Sequence, residues 1–141
     1  MWNIPFDGLG VAGVAGWEAV SAGKFQTPTR VGPCLTTDKL LADERWEVMV
    51  RELMLEVIRT GNALGCSLSE TLADKNIERT RTMGAYKAST LIDFELGRPL
   101  ELGSLFLEPL RRAAEAGMSV PRLKALCLVL QKLCSAQRQI S

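Results

Sequence analysis

Residues 1–16 read MWNIPFDGLGVAGVAG, and within them Gly8-Leu9-Gly10-Val11-Ala12-Gly13 spells G-x-G-x-x-G. That spacing is the fingerprint of a dinucleotide-binding turn, where a buried strand hands over to a helix whose N-terminus receives a pyrophosphate. Whether these glycines form such a turn decides between a parallel-sheet fold and an all-helical one. The flanks decide against the turn. Pro5 is disfavoured in a central strand, and no Val/Ile run precedes Gly8. Some twenty residues on, where a ribose-binding acid should end a second strand, the chain reads as loop.

The same residues make sense on a helix. Gly8, Gly10, Gly13 and Gly16, with Ala12 and Ala15, form a small-residue face. Such a face lets another backbone approach closely, at a propensity cost of about 1 kcal/mol per glycine relative to alanine.

Further along, SAGKFQTPTRVGPCLTTD (Ser21–Asp38) reads as a loop, since Pro28 and Pro33 interrupt regular structure and no helical period runs through it. From Asp43 the pattern changes. Trp46, Val50, Leu53, Met54, Val57 and Ile58 recur at helical spacing, with Asp43 as N-cap and Gly65 as stop. Ser69 reads as the N-cap of a helix reaching about Met83, and a short helix follows from Ser89 to Leu96, closed by Gly97. Leu102, Leu105, Phe106, Leu110, Ala113 and Ala114 mark another that ends at Gly117, with Pro109 inside it as an expected kink. Pro121 opens the last helix, lined by Leu123, Leu126, Cys127, Leu130, Leu133 and Cys134. No alternating strand pattern of useful length appears, so the expected fold class is all-α, one domain over residues 1–141.

Composition narrows the function classes. The 17 basic and 16 acidic residues are spread along the chain, and no Lys/Arg run supplies a face for nucleic acid or a membrane surface. No apolar run approaches a membrane span, and no secretory signal is visible. The chain has no histidine, which removes the commonest general acid or base. Cys34, Cys66, Cys127 and Cys134 are too scattered for a zinc site, and Cys127 and Cys134 sit two turns apart, too far for an unstrained disulfide. Reduced, mostly buried thiols, no metal and a cytoplasmic location are expected.

Three stretches together are more specific: WNIPFDGL (Trp2–Leu9), YKASTLIDFELGRPLEL (Tyr86–Leu102) and AGMSVPRL (Ala116–Leu123). They resemble the C-terminal helical domain of ketopantoate reductases (2-dehydropantoate 2-reductases), of the 6-phosphogluconate dehydrogenase C-terminal-domain-like type. The strongest part is the S-x-x-x-D-x-x-x-G-R-x-x-E register of Ser89, Asp93, Gly97, Arg98 and Glu101. The resemblance implies an NADPH-binding Rossmann domain that is missing from this chain, and a helical domain that closes over a 2-keto acid. Hydride would pass to the C2 ketone of ketopantoate, giving pantoate, and a lysine would protonate the product alkoxide. Counting back from Asn3 puts that lysine two residues before Met1, so the chain alone is expected to be inactive.

On the same resemblance Asn3, Asp7 and Ser89 would bind substrate, and Glu101 would contact the cofactor and the lysine. Each has a plainer role open to it. Asn3 would serve as a capping or core amide, Ser89 as an N-cap, and Glu101 as a first-turn acid. Asp93 and Arg98 are expected to orient the local turn. Asp7 stands where many members carry asparagine, and it would repel a substrate carboxylate unless protonated or turned aside. Tyr86 stands where some members have another amide. Both keep open a related reductase for another 2-keto acid. A stand-alone helical interaction or dimerisation module, partnered or self-associated, is the alternative from another class, and the isolated chain is expected to form a homodimer through its uncovered apolar surface.

Overall fold

The computed structural model describes residues 4–22, 34–84, 86–87, 89–98 and 102–140, with backbone alone at 18–19, 22, 89, 104–105 and 135–140. Among them there is no strand. The chain opens with a π-helical turn, Ile4–Gly8, which runs into α1 (Leu9–Ala12) and a 3-10 turn, Gly13–Ala15. Then follow α2 (Trp17–Ala22), α3 (Thr37–Ala42), α4 (Glu44–Ala63), α5 (Thr71–Arg81) and α6 (Ser89–Glu95). A second π-helical turn, Gly103–Leu107, leads into α7 (Glu108–Glu115), and α8 (Pro121–Ile140) closes the described chain.

The glycine-rich stretch is therefore helical, and it runs through the middle of the molecule. Leu9, Val11 and Ala12 are wholly buried and Phe6 and Val14 nearly so, as a helix that is apolar all round requires. Its glycines are spacers. A Cβ on Gly8 would lie 2.8 Å from Leu126 on α8 and 2.9 Å from Phe106 in the second π turn. One on Gly10 would meet the Leu35 carbonyl and the Leu91 side chain of α6, each at 2.9 Å. Leu35 also covers Gly13. Small residues let neighbours from three directions close on this helix, which is why it can sit at the centre of the core.

The two long helices frame it. Asp43 caps α4 through a 3.0 Å bond from the Arg45 N–H. Trp46, Val50, Leu53, Met54 and Ile58 turn inward on α4. On α8 the buried residues are Leu123, Leu126, Cys127, Leu130, Leu133 and Cys134, with Val129 added to the stripe. Glu56, a buried carboxylate on α4, accepts from the backbone N–H groups of Arg122 (3.1 Å) and Leu123 (2.9 Å). One long helix thus caps the other. At the outer edge Trp17 packs edge-on against Trp46 with ring centroids 5.1 Å apart, and the Arg45 guanidinium lies 5.3 Å from the Trp17 ring.

Three local expectations shift. Pro109 does not kink the interior of an α-helix. It sits in the first turn of α7, directly after the π turn, where the Glu108 N–H reaches back to the Gly103 carbonyl. The wider turn takes up the ring, and the donor that proline lacks falls where the bonding pattern changes. Helix α5 starts at Thr71; Ser69 Oγ still accepts the Thr71 N–H, at 3.3 Å. The stretch read as loop holds Ser21 within α2 and Asp38 within α3, and its residues 23–33 lie outside the described residues.

Candidate functional site

The short helix α6 carries the densest motif of the sequence, and its two ends are built differently. At the C-terminal end Gly97 takes φ +77°, a left-handed conformation that suits glycine. The Gly97 N–H bonds to Phe94 O (3.1 Å) and the Arg98 N–H to Asp93 O (2.8 Å), the double bond of a Schellman stop. The Arg98 guanidinium returns to the Asp93 carboxylate at 3.2 Å. Asp93, Gly97 and Arg98 thus form a self-contained turn, and the two charged side chains orient the chain as expected of them.

At the N-terminal end α6 meets the first helical turn of the protein. Thr90 Oγ1 donates to Asp7 Oδ2 at 2.9 Å, across 83 residues of sequence. Leu91, the next residue, is buried against Gly10. Asp7 is 5% exposed, and among the described residues its Oδ1 has no hydrogen-bond partner. Among the described residues no basic side chain pairs with it. Burial pushes the Asp7 carboxyl above the ordinary carboxylate range, and the Thr90 hydroxyl pulls weakly the other way. A buried carboxyl with one satisfied and one open oxygen either accepts a second hydrogen bond or, when protonated, donates one.

Of the four residues expected at a site, the structure brings Asp7 and the backbone of Ser89 to this junction, since Ser89 is the first residue of α6 and Thr90 the second. Asn3 and Glu101 lie outside the described residues. Thr90 was not anticipated: beside Ser89, a second hydroxyl at a helix start reads as ordinary capping chemistry, and no local pattern names a partner 83 residues away. Tyr86 lies just upstream, 44% exposed, with its carbonyl accepting from the Thr37 N–H and its N–H donating to Gly84 O.

The cysteines offer no competing chemistry. Cys34, Cys127 and Cys134 are buried, Cys66 is exposed, and none of the four is in a disulfide. Burial raises the Cys127 pKa to about 11, and its Sγ donates to Phe106 O at 3.6 Å. Among the described residues no cluster of Cys, Asp and Glu could hold a metal ion, and no helix is long and apolar enough to cross a membrane. Two surface grooves of about 420 and 470 Å³, beside Trp17 and Met118, include none of the expected site residues.

The fold has counterparts among known proteins. Residues 25–133 match the family model described as "Ketopantoate reductase PanE/ApbA C terminal". A 2-dehydropantoate 2-reductase from a Nostoc species is 29% identical over 126 residues, which is 89% of this chain and 33% of that protein. One from Mesorhizobium japonicum is 28% identical over 98 residues, 70% of this chain and 30% of the relative. The chain therefore spans about a third of the length of these relatives. Among solved structures, a 2-dehydropantoate 2-reductase from Geobacter metallireducens superposes with a TM-score of 0.73 at 34% identity, over 92% of this chain and 37% of that one. Its counterpart from Methylococcus capsulatus gives 0.77 at 26% identity, over 96% and 40%. A dimeric ketopantoate reductase from Staphylococcus aureus shares the fold, with a TM-score of 0.70 at 18% identity. The all-helical architecture, the register around α6 and these matches agree, and the chain belongs to the ketopantoate reductase family as its C-terminal helical domain.

Proposed function

We propose that this domain supplies the substrate side of an NADPH-dependent 2-keto acid reductase acting on ketopantoate. The observation that carries the reading is the Thr90–Asp7 hydrogen bond. Within a chain of this family, it joins the N-terminal motif to the Ser89 block, the two stretches expected to hold substrate. In this reading Ser89 donates its hydroxyl to the substrate carboxylate, and the Asn3 amide bonds a substrate oxygen. Burial raises the Asp7 carboxyl above the ordinary range, so it takes up a proton beside an acid substrate more readily than an exposed aspartate would.

When bound, NADPH supplies the reducing equivalent. The described residues offer no cradle for it, because the glycine-spaced stretch is packed shut by Leu35, Leu91, Phe106 and Leu126. We place the cofactor chiefly on a nucleotide-binding domain outside this chain, with Glu101 as its contact here and with the chain inactive alone. Four cysteines without a disulfide, three of them buried, favour a reducing compartment such as the cytoplasm. Exposed Leu64 and Leu96 favour a homodimer, which light scattering at high micromolar concentration tests; a monomer there refutes it.

The test is NADPH oxidation by the complete polypeptide that carries this chain, with ketopantoate and a panel of other 2-keto acids. Ser89→Ala and Glu101→Ala are each expected to lower kcat/KM by about 10- to 100-fold, the loss of one charge-assisted hydrogen bond. Unchanged kcat/KM in an active enzyme overturns the site assignment. Asp7 favours one variant of the reading, a preference for a different 2-keto acid, which the panel separates from the first.

A further inference from the structure

Thr60 and Thr80 are both buried threonines on helices, and their hydroxyls are used differently. On α5, Thr80 Oγ1 donates to Asn76 O at 2.7 Å, four residues back along its own helix, the usual partner for such a side chain. On α4, Thr60 is 8% exposed and its Oγ1 is shielded from solvent; among the described residues that oxygen has no hydrogen-bond partner. Its hydroxyl is therefore turned off the carbonyl ladder of α4, with a proton and two lone pairs uncommitted. A buried hydroxyl in that state destabilises a fold and is rare.

Thr60 lines a pocket of about 170 Å³ where the end of α4 meets the first turns of α7 and α8. Val57, Leu64, Pro109 and Leu123 give it apolar walls, and the mostly exposed Arg112 stands at its rim. The Arg112 guanidinium pairs with Glu108 at 3.3 Å, and Arg111 pairs with both Glu108 and Glu115. Two arginines thus face two acids, and this group has no net charge with which to draw in an ion. Size narrows the occupant further. An apolar cavity of about 150 Å³ holds one benzene-sized molecule. Pockets for drug-sized ligands and cofactors start at about 300 Å³, so a nucleotide is too large for this one.

We propose that the Thr60 pocket is a binding site for a small neutral molecule with an apolar ring or branched chain and one hydroxyl. The apolar body fills the space among Val57, Leu64, Pro109 and Leu123, and its hydroxyl bonds to Thr60 Oγ1. Threonine keeps two χ1 rotamers open on a helix, which lets the shielded oxygen turn to the ligand. The pocket includes none of the residues expected to hold substrate, and the proposal stands apart from the reductase reading.

The experiment is a heteronuclear NMR titration of the complete polypeptide that carries this chain. The probes are phenol, toluene (the same ring without the hydroxyl) and benzoate (the same ring with a charge). Phenol and toluene are both expected to give saturable shifts at Thr60, Leu64 and Leu123. Thr60→Val keeps the shape and removes the hydroxyl. It is expected to weaken phenol about fivefold, the equivalent of one lost hydrogen bond, and to leave toluene within about twofold of wild type. Thr60→Ser is expected to hold phenol within about twofold. Benzoate is expected to bind about tenfold more weakly than phenol, because an apolar pocket strips a charge of its water. No saturable shift at these residues overturns the site. Equal losses for phenol and toluene in Thr60→Val, or no loss for phenol, overturn the role of the hydroxyl. Benzoate binding as tightly as phenol overturns the neutral class. Should Thr60→Val fail to fold, the wild type decides: nuclear Overhauser contacts are expected between the phenol ring and the Thr60 methyl, and their absence sinks the site.

Discussion

Asp7 places a carboxyl inside an otherwise apolar helix at the centre of the core. From its neighbours alone it is an acid in an apolar stretch, and the concern is repulsion of an acidic substrate. The structure shows how the carboxyl is kept: buried, hydrogen-bonded once by Thr90, and without a paired cation among the described residues. Its pKa is raised above 3.8 by loss of hydration, so folding favours the protonated form. The sign of the stability effect follows. Below the ordinary aspartate value the group is protonated in both folded and unfolded chains and has no pH-linked cost. Between that value and the raised one, stability falls as pH rises, and above the raised value it stays reduced. Asp7→Asn removes the charge and keeps an acceptor for Thr90. It is expected to raise Tm near neutral pH by roughly 3–5 °C, the shift that about 1 kcal/mol produces in a domain of this size, and to add little in acid. Thermal melts of the two proteins across pH check this; an equal gain at every pH would mean that the charge of Asp7 is irrelevant.

At the scale of elements, what was legible was whatever repeats at helical spacing. The inward stripe of α4, its Asp43 cap and the stripe of α8 follow from residue type and period, because burial of one face suffices to set them. Glu56 was not legible. It lies on α4 as one more acid of a charged helix, and its role depends on α8 arriving 66 residues later with two unpaired N–H groups in its first turn. Pro109 was misjudged for a related reason: period cannot reveal that the preceding turn is π-helical and leaves room for the ring. Because Glu56 satisfies two orphan donors of another helix, truncating it should cost more than losing a surface charge. Glu56→Ala is expected to destabilise by about 2–3 kcal/mol and Glu56→Gln by about half of that, since the amide keeps one acceptor. Urea unfolding measures both, and faster exchange of the Arg122 and Leu123 amides would localise the damage. A Glu56→Ala variant with an unchanged midpoint would mean that water caps α8 as well.

For the whole molecule the glycine-rich opening carries the largest consequence. Its composition showed that a backbone could come close to it, but not that three elements would do so at once. That arrangement depends on Leu35, Leu91, Phe106 and Leu126, all distant in sequence. The candidate site has the same character, since it lies where this helix meets α6, and its residue types were readable while their partners were not. A helix at the centre of a single core is a requirement for folding rather than an appendage. Ile4, Phe6, Leu9, Val11 and Val14 are all at most 5% exposed, and burying each stabilises by about 1.5–3 kcal/mol. Their combined contribution is on the order of 10 kcal/mol, which is comparable to the whole net stability of a domain. A chain that starts at Trp17 is therefore expected to lack a cooperative thermal transition and to expose the apolar faces of α4 and α8. Calorimetry together with near-ultraviolet circular dichroism of Trp17 and Trp46 tests this. A cooperative transition with undiminished enthalpy would place the first helix at the periphery and would remove the ground for a site built on it.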